Sequence, residues 1–303
     1  MKVFTHNFNP KSNSGPNKFT RTLFRKLINE NEVVLSNQED AEVEFCLIQQ
    51  QLPKVKPMLL RLDGIWFNSE QEYNKQNAII QHSYNNADAV VFQSNFNKNL
   101  VEDWFGCHKN SYVINNSCDN KLINSANKHF WDKKFGINTE VWSCASSWRP
   151  HKRLNENIRY FLEFAPKDAV FAIAGALGMD DAKRLPSDER IILVGELDYM
   201  SLLALYKRSS TFVHLAYLDH CPNVVVDAQA AGCKIVCSSS GGTKEVVNDG
   251  IVIIEDEWDF KPIPLYRPPS MDFLNSVKIK TNNKNSFKEC TESYFRVMQG
   301  IIL

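Results

Sequence analysis

"TFVHLAYLDHCPNVVVDAQAAG", Thr211 to Gly232, is the stretch on which the reading of this chain turns. Its first part, "TFVHLAY", is an apolar run of strand length, the pattern of a strand buried on both faces. Leu218 to Cys221 then form a loop leaving the strand's carboxyl end. Pro222 suits the first position of a helix, where its missing amide costs nothing. Val224, Ala228 and Ala231 share one face of that helix; Val225, Val226 and Ala230 make most of the rest apolar, and Gly232 ends it. A buried strand feeding a buried helix is one unit of a parallel sheet covered by helices. Two acids interrupt it, Asp219 in the loop and Asp227 inside the helix, where a carboxylate is costly unless something pairs with it.

The same alternation runs outward in both directions. Strand-like runs in the first part are "MKVFT", "EVEFCLI", "PMLLRL", "AVVFQ" and "SYVIN", and in the second "EVWSCAS", "AVFAIAG", "RIILVGE", "CKIVCSS" and "GIVIIE". Helical patterns lie between them. In "SNFNKNLVEDWFG", Ser94 caps the start, Phe96, Leu100 and Trp104 share a face, and Gly106 stops the helix. The polar "NSCDNKLINSANKHFWDKKFG" reads as a linker near residues 118–138, and "SFKECTESYFRVMQGIIL" as a last amphipathic helix. The fold class that follows is α/β, two doubly wound units, whose ligands bind at the carboxyl ends of the strands.

Composition narrows the function. Lys plus Arg number 35 and Asp plus Glu 35, so no net charge favours nucleic acid or an anionic membrane as the main partner. No apolar run approaches the ~20 residues of a transmembrane span, and the amino-terminal stretch lacks a signal-peptide core. Eight cysteines occur without a C-x-x-C pair, which makes zinc a poor reading and a reduced, cytoplasmic setting the simplest one. No metal ligand set and no cofactor is expected, and no D-x-D is present to bridge a metal to a diphosphate.

The helix opening after Pro222 leaves amides near Asn223 and Val224 for an anion. With an acid in the preceding loop and another further along, the stretch offers what a nucleotide sugar needs: donors for a diphosphate and carboxylates for two sets of hydroxyls. An acid near a helix start also serves the dipole alone, and Asp219 has the alternative of merely capping a turn. In "VWSCASSWRPHKRL", Pro150 holds Arg149 extended, and Arg149, His151, Lys152 and Arg153 gather where a helix begins. Cations avoid that end unless an anion fills the space between; the other reading is a solvated basic turn. His151 is a bystander in either case.

With Asp in place of both Glu, Asp219 to Asp227 resembles the E-x7-E signature of retaining GT-B glycosyltransferases, glycosyltransferase family 4 (glycosyl transferases group 1). The resemblance implies a GT-B architecture: two Rossmann-like domains facing an interdomain cleft, residues 1–122 with helix 284–303 on the acceptor side and residues 123–283 on the donor side. It implies that Asp219 contacts the transferred sugar and Asp227 the ribose, with Asn223, Val224 and Pro222 at the donor, each acid one methylene short of the family's. Arg149 and Lys152 would bind the diphosphate, with Arg153 adjacent as the competing choice. "SSSGGTKEVV" is similar to the family's Gly-Gly-x-x-Glu loop, in which Gly241 and Gly242 approach the donor and Glu245 is structural. Gly195 and Glu196 would border the base, and Gly15, before Pro16, would lie in the first glycine-bearing loop.

In "MLLRLDGIWFN" the resemblance points to Asp63 as the group orienting acceptor or sugar; a turn Asp or an ion pair with Arg61 is the plain alternative. "YVINNSCD" is similar to a stretch that ends Asn-Gly-x-Asp in the family, with Ser117 replacing the Gly, and puts Asn116 and Asp119 at the cleft, Asn116 among the donor-binding residues. The function implied is metal-independent transfer of a hexose, with retention, from a UDP- or GDP-linked sugar to an acceptor saccharide or glycolipid. The alternatives are a non-catalytic nucleotide-sugar-binding protein and a sugar-nucleotide epimerase of related fold.

Overall fold

The computed structural model describes residues 1–12, 14–30, 32–183, 185–281 and 286–303, the side chains of 180 and 181 excepted. The chain forms two compact units. The first holds Met1–Ser117, Phe260–Ile263 and the carboxyl-terminal helix, the second Cys118–Asp259 and the stretch resuming at Pro264.

Six strands build the first unit: β1 (Lys2–His6), β2 (Val34–Leu35), β3 (Val43–Leu47), β4 (Met58–Leu62), β5 (Ala89–Phe92) and β6 (Ser111–Val113). They pair in the order β2-β1-β3-β4-β5-β6, all parallel. β3, β4 and β5 are buried at every position, as their mostly apolar runs suit, with Glu44 in β3 and Arg61 in β4 as the buried charged exceptions. Between the strands lie α1 (Gly15–Asn29), α2 (Tyr73–Asn86) and α3 (Asn95–Phe105). Ser94 caps α3 by accepting from the Asn97 amide, and Gly106 closes it at φ 84°.

In the second unit the strands are β7 (Val141–Ala145), β8 (Val170–Ala174), β9 (Ile191–Gly195), β10 (Thr211–His214), β11 (Lys234–Ser238), β12 (Asp249–Ile253) and β13 (Ser276–Lys280). Their order is β13-β12-β11-β10-β7-β8-β9, with only β13 antiparallel among the described strands. The chain walks from β7 to β9 on one side and then crosses to β10 on the other. The switch point therefore falls between β7 and β10, and the carboxyl ends of those two strands are where ligands of such sheets bind. Helices α4 (Asn120–Ser125), α5 (Asp132–Phe135), α6 (Leu154–Phe164), α7 (Met179–Lys183), α8 (Tyr199–Arg208) and α9 (Asn223–Ala230) complete the unit. α4, α5, α8 and α9 share one apolar cluster with one face of the sheet, through residues such as Ile123, Trp131, Leu203, Phe212 and Val225. α6 covers the other face through Ile158 and Phe161.

The segment expected to be a linker near 118–138 is part of that core. Ile123, Ala126, Trp131 and Phe135 are buried in it, and Trp131 stacks on Phe135 with ring centroids 5.5 Å apart. The Trp131 indole donates to the Ser201 carbonyl at 3.1 Å, and Arg208 reaches Asp132 at 3.1 Å. Two short helices and a 3₁₀ turn at Lys128–Trp131 need few apolar residues, so a polar composition hid a packed segment.

The last helix, α10 (Phe287–Gly300), starts with a capping box between Ser286 and Glu289. It packs on α1 and β4 of the first unit, burying Cys290, Tyr294, Val297 and Met298.

Candidate functional site

β7 ends at Ala145, and its exit loop turns through a 3₁₀ turn, Pro150–Lys152, before α6. Arg149 is held extended before Pro150, at φ −139° and ψ 159°. β10 ends at His214, and its exit loop carries Asp219 to the start of α9. These are the two strands that flank the switch point, and their loops meet there. Lys152 Nζ lies 2.5 Å from Asp219 Oδ2, and His214 Nε2 lies 3.0 Å from the same oxygen. Asp219 Oδ1 accepts from the His220 amide at 3.0 Å.

Burial alone would raise the Asp219 carboxyl, but the Lys152 ammonium and the His214 hydrogen bond hold it well below the usual carboxylate range. Burial and the neighbouring Lys152 hold His151 down at about 3, so this ring is neutral. It stacks on Tyr266 at 5.5 Å, which suits a packing role. Arg149, three residues before Lys152, is exposed, and its guanidinium has no hydrogen-bond or ion-pair partner among the described residues.

The competition between Lys152 and Arg153 resolves in the structure. Arg153 is buried and grips Glu255 with two bonds, Nη1 to Oε2 at 2.9 Å and Nη2 to Oε1 at 2.7 Å. It is committed to the protein core, whereas Lys152 pairs with Asp219 at a partly exposed position.

Pro222 is the cap of α9, one place earlier than expected, and Asn223 is the first helical residue. The amides of Asn223 and Val224 head the helix and have no carbonyl four residues back inside it. Val225, Val226, Asp227 and Ala228 are buried, as the apolar pattern requires. Asp227 is not left uncompensated, because the Tyr199 hydroxyl and the Cys118 thiol hydrogen-bond to it, and burial with that carboxylate pushes both donors' pKa values up.

Gly241 sits at φ 81° in the β11 exit loop, bridged to Asp219, and the Gly242 amide donates to the Asp219 carbonyl at 2.8 Å. A Cβ on Gly241 would come 2.4 Å from the Asp219 carbonyl oxygen. The close approach that demands glycine here is to the backbone of Asp219. Glu245 lies in the following 3₁₀ turn, Thr243–Val246. Gly195 and Glu196 are exposed where β9 ends, Gly195 at φ 73° with open space around its Cβ position.

In the first unit Arg61, fully buried, gathers a second cluster. Its guanidinium bonds to Asp63, to Asn116 Oδ1 at 2.9 Å and to the Tyr294 hydroxyl of α10 at 3.1 Å, and lies 4.4 Å over the Phe19 ring. Asp63 and Asn116 are thus brought together, Asn116 also donating to Gln93 at 2.8 Å. Burial raises the Asp63 pKa against the pull of Arg61. Gly15 is the exposed first residue of α1, and Asp119 caps α4 by accepting from the Lys121 amide at 2.9 Å.

Sequence reasoning missed His214, Glu255, Tyr199 and Cys118 as site residues. His214 is a titratable group inside a buried apolar run, and Glu255 opens an acidic run as β12 leaves the sheet. Both were visible signals. Nothing local marks Tyr199 and Cys118 as partners of Asp227. Among the described residues no three His, Cys, Asp or Glu side chains are grouped to hold a metal ion, and all eight cysteines are free thiols. No described helix is long and apolar enough to cross a membrane.

Residues 127–260 match the family described as glycosyl transferases group 1. A comparison with curated protein sequences found no match. Among solved structures, HepE of Anabaena in complex with UDP-glucose is similar over 85% of this chain and 86% of its own, with TM-score 0.66 and 15% identity. Sucrose-phosphate synthase of Thermosynechococcus elongatus is similar over 100% of this chain and 96% of its own, with TM-score 0.68 and 12% identity. A glycosyltransferase of Rickettsia africae is similar over 99% and 98%, with TM-score 0.66 and 13% identity. At such identities the likeness establishes the fold. Residues 127–260 thus carry the glycosyl transferases group 1 match within a GT-B fold of two Rossmann-like units, and together these support a glycosyltransferase.

Proposed function

We propose that the protein transfers a sugar, with retained anomeric configuration and without a metal, from a nucleotide diphosphate donor to an acceptor hydroxyl of a saccharide or glycolipid. One observation carries the reading: at the switch point of the second sheet, Lys152 is paired with Asp219 at 2.5 Å beside an exposed Arg149 that has no partner among the described residues. Lys152 and Arg149 receive the diphosphate together with the opening amides of α9, and Asp219 turns to the sugar hydroxyls. Asp227 holds the ribose, and Gly195 and Glu196 border the base. Asp63 serves the acceptor side, and Asn116, held beside it by Arg61, faces the donor. As the diphosphate leaves, the cations stabilise its growing charge, and its oxygen takes the proton of the incoming hydroxyl on the same face. No strong protein base is needed, which agrees with a His151 that stays neutral.

UDP-glucose in the HepE structure makes UDP the first nucleotide to try. Thermal shift with UDP, GDP, ADP and dTDP identifies the base, since a ligand of the native state raises its stability in proportion to occupancy. Transfer or donor hydrolysis that vanishes in Asp219→Ala and Arg149→Ala supports the reading; activity retained in both variants refutes it. A second reading, a nucleotide-sugar-binding protein without turnover, is favoured by Asp219 having both its oxygens engaged, by Lys152, His214 and the His220 amide. It predicts tight donor binding with neither hydrolysis nor transfer.

A further inference from the structure

Five non-glycine residues among those described have positive φ, and two of them touch the Lys152–Asp219 pair in sequence. Arg153 follows Lys152 at φ 51°, and Leu218 precedes Asp219 at φ 54°. Left-handed backbone is unfavourable for a branched or bulky residue, so it persists only where its surroundings enforce it. One network enforces both. Arg153 Nη1 also donates to the Leu215 carbonyl at 3.4 Å and Nη2 to the Pro269 carbonyl at 2.9 Å, and the guanidinium lies 4.8 Å over the Tyr217 ring. Its partner Glu255 accepts from Ser238 Oγ, and the Glu255 amide donates to Ser239 Oγ at 2.8 Å. Ser238 Oγ lies 2.6 Å from Ser240 Oγ, which accepts from the Leu218 amide at 3.3 Å.

These bonds close a ring. From Lys152 it runs through Arg153, Glu255, Ser238, Ser240 and Leu218 to Asp219, and the 2.5 Å ion pair joins its ends. The exit loops of β7, β10, β11 and β12 each supply a member. Arg153, Ser238, Ser240 and Leu218 are buried, and the Lys152–Asp219 edge of the ring is its more exposed part.

We propose that the Arg153–Glu255 pair, relayed through Ser238 and Ser240, is a positioning device that sets the distance between Lys152 and Asp219. The proposal rests on the donor site assigned above. Neither Arg153 nor Glu255 touches substrate; they act on the two residues that do.

Ser238→Ala cuts the relay while leaving the Arg153–Glu255 pair intact, and Ser240→Ala does the same one bond further along. UDP affinity, measured by calorimetry on the full chain, should fall about tenfold in Ser238→Ala, the loss expected of a hydrogen bond to a charged group. In a Lys152→Ala background the same change should cost nothing more, because the edge it positions is gone. A loss below about twofold, or one that adds in full to that of Lys152→Ala, overturns the proposal, since a general loss of stability is additive. If Ser238→Ala does not fold, Ser240→Ala gives the same comparison. A crystal structure of either variant tests the ring without nucleotide. The Lys152–Asp219 separation should open past about 4 Å, the limit of an ion pair, and an unchanged 2.5 Å overturns the proposal. Failure of the wild type to bind UDP, GDP or ADP counts against the donor site instead, and the crystal structure still decides the ring.

Discussion

Two glycines proposed to line the donor site separate two causes of glycine dependence. Gly241 and Gly195 both have positive φ, 81° and 73°. A Cβ on Gly195 meets nothing within 4 Å, whereas one on Gly241 would lie 2.4 Å from the Asp219 carbonyl oxygen and 2.8 Å from its amide nitrogen. Gly195→Ala should therefore show the left-handed cost alone, about 1–2 kcal/mol, less the roughly 0.4–1 kcal/mol that alanine returns by restricting the unfolded chain. Gly241→Ala carries the same cost and must also push the Asp219 backbone away by about 1 Å to reach ordinary contact. That movement breaks the bond from the Gly242 amide to the Asp219 carbonyl, worth about 1 kcal/mol. Strain in the packed loop brings the expected total to roughly 3–5 kcal/mol. Urea denaturation followed by tryptophan fluorescence reads both variants, provided their m-values agree. UDP binding reads a second consequence of Gly241→Ala, because displacing Asp219 disturbs Lys152; Gly195, placed beside the base, is compared by stability alone. Destabilisation of the two variants equal within about 0.5 kcal/mol, the scatter of independent surface changes, would refute the claim that Gly241 is required by Asp219.

Arg149→Ala should weaken UDP binding about tenfold, as loss of a charge-assisted contact does, while shifting unfolding by less than about 0.5 kcal/mol; a matching loss of stability would show Arg149 to be structural. Trp131→Ala should cost about 3–5 kcal/mol in urea denaturation, and a cost under about 1 kcal/mol would return 118–138 to the status of a linker. Arg61→Ala should cost about 3–5 kcal/mol by stranding Asp63 and Asn116, again by urea denaturation. His151 gives a pH test. Its folded-state pKa of about 3 lies below the unfolded value near 6.5, so below pH 6.5 the unfolded chain binds the extra proton. Its contribution is complete above about pH 7 and is lost as pH falls toward about 3, by about 1.4 kcal/mol per pH unit. His151→Gln should flatten the stability-versus-pH curve between pH 6 and pH 4, and an unchanged slope would show that another group causes it.

The parallel sheets were legible because fully buried strands are mostly apolar, and β3, β4, β5, β7 and β10 announce themselves that way even though Glu44, Arg61, Ser143 and His214 are buried among them. β13 was not, since Ser276–Lys280 is an edge strand exposed at four of its five positions and needs no apolar run. β2, two exposed residues long, escaped for the same reason. At the site, the sequence placed Lys152 and Asp219 in strand-exit loops of one sheet beside a common anion, and the direct ion pair between them is a finding of the structure. The order of β7 and β10 within that sheet, which makes the loops neighbours, is a long-range property that no local pattern encodes. The choice between Lys152 and Arg153 likewise depended on Glu255, a residue 102 positions away. Glycine at 241 suggested a ligand, and the structure assigns the tight approach to Asp219 itself.

A crystal structure of the protein with a bound nucleoside diphosphate, UDP first, tests the central claim most directly. The expected result is a diphosphate within hydrogen-bond distance of Lys152 Nζ, the Arg149 guanidinium and the opening amides of α9, with Asp219 released from Lys152. A diphosphate bound elsewhere on the chain, with the 2.5 Å Lys152–Asp219 pair intact, would contradict it.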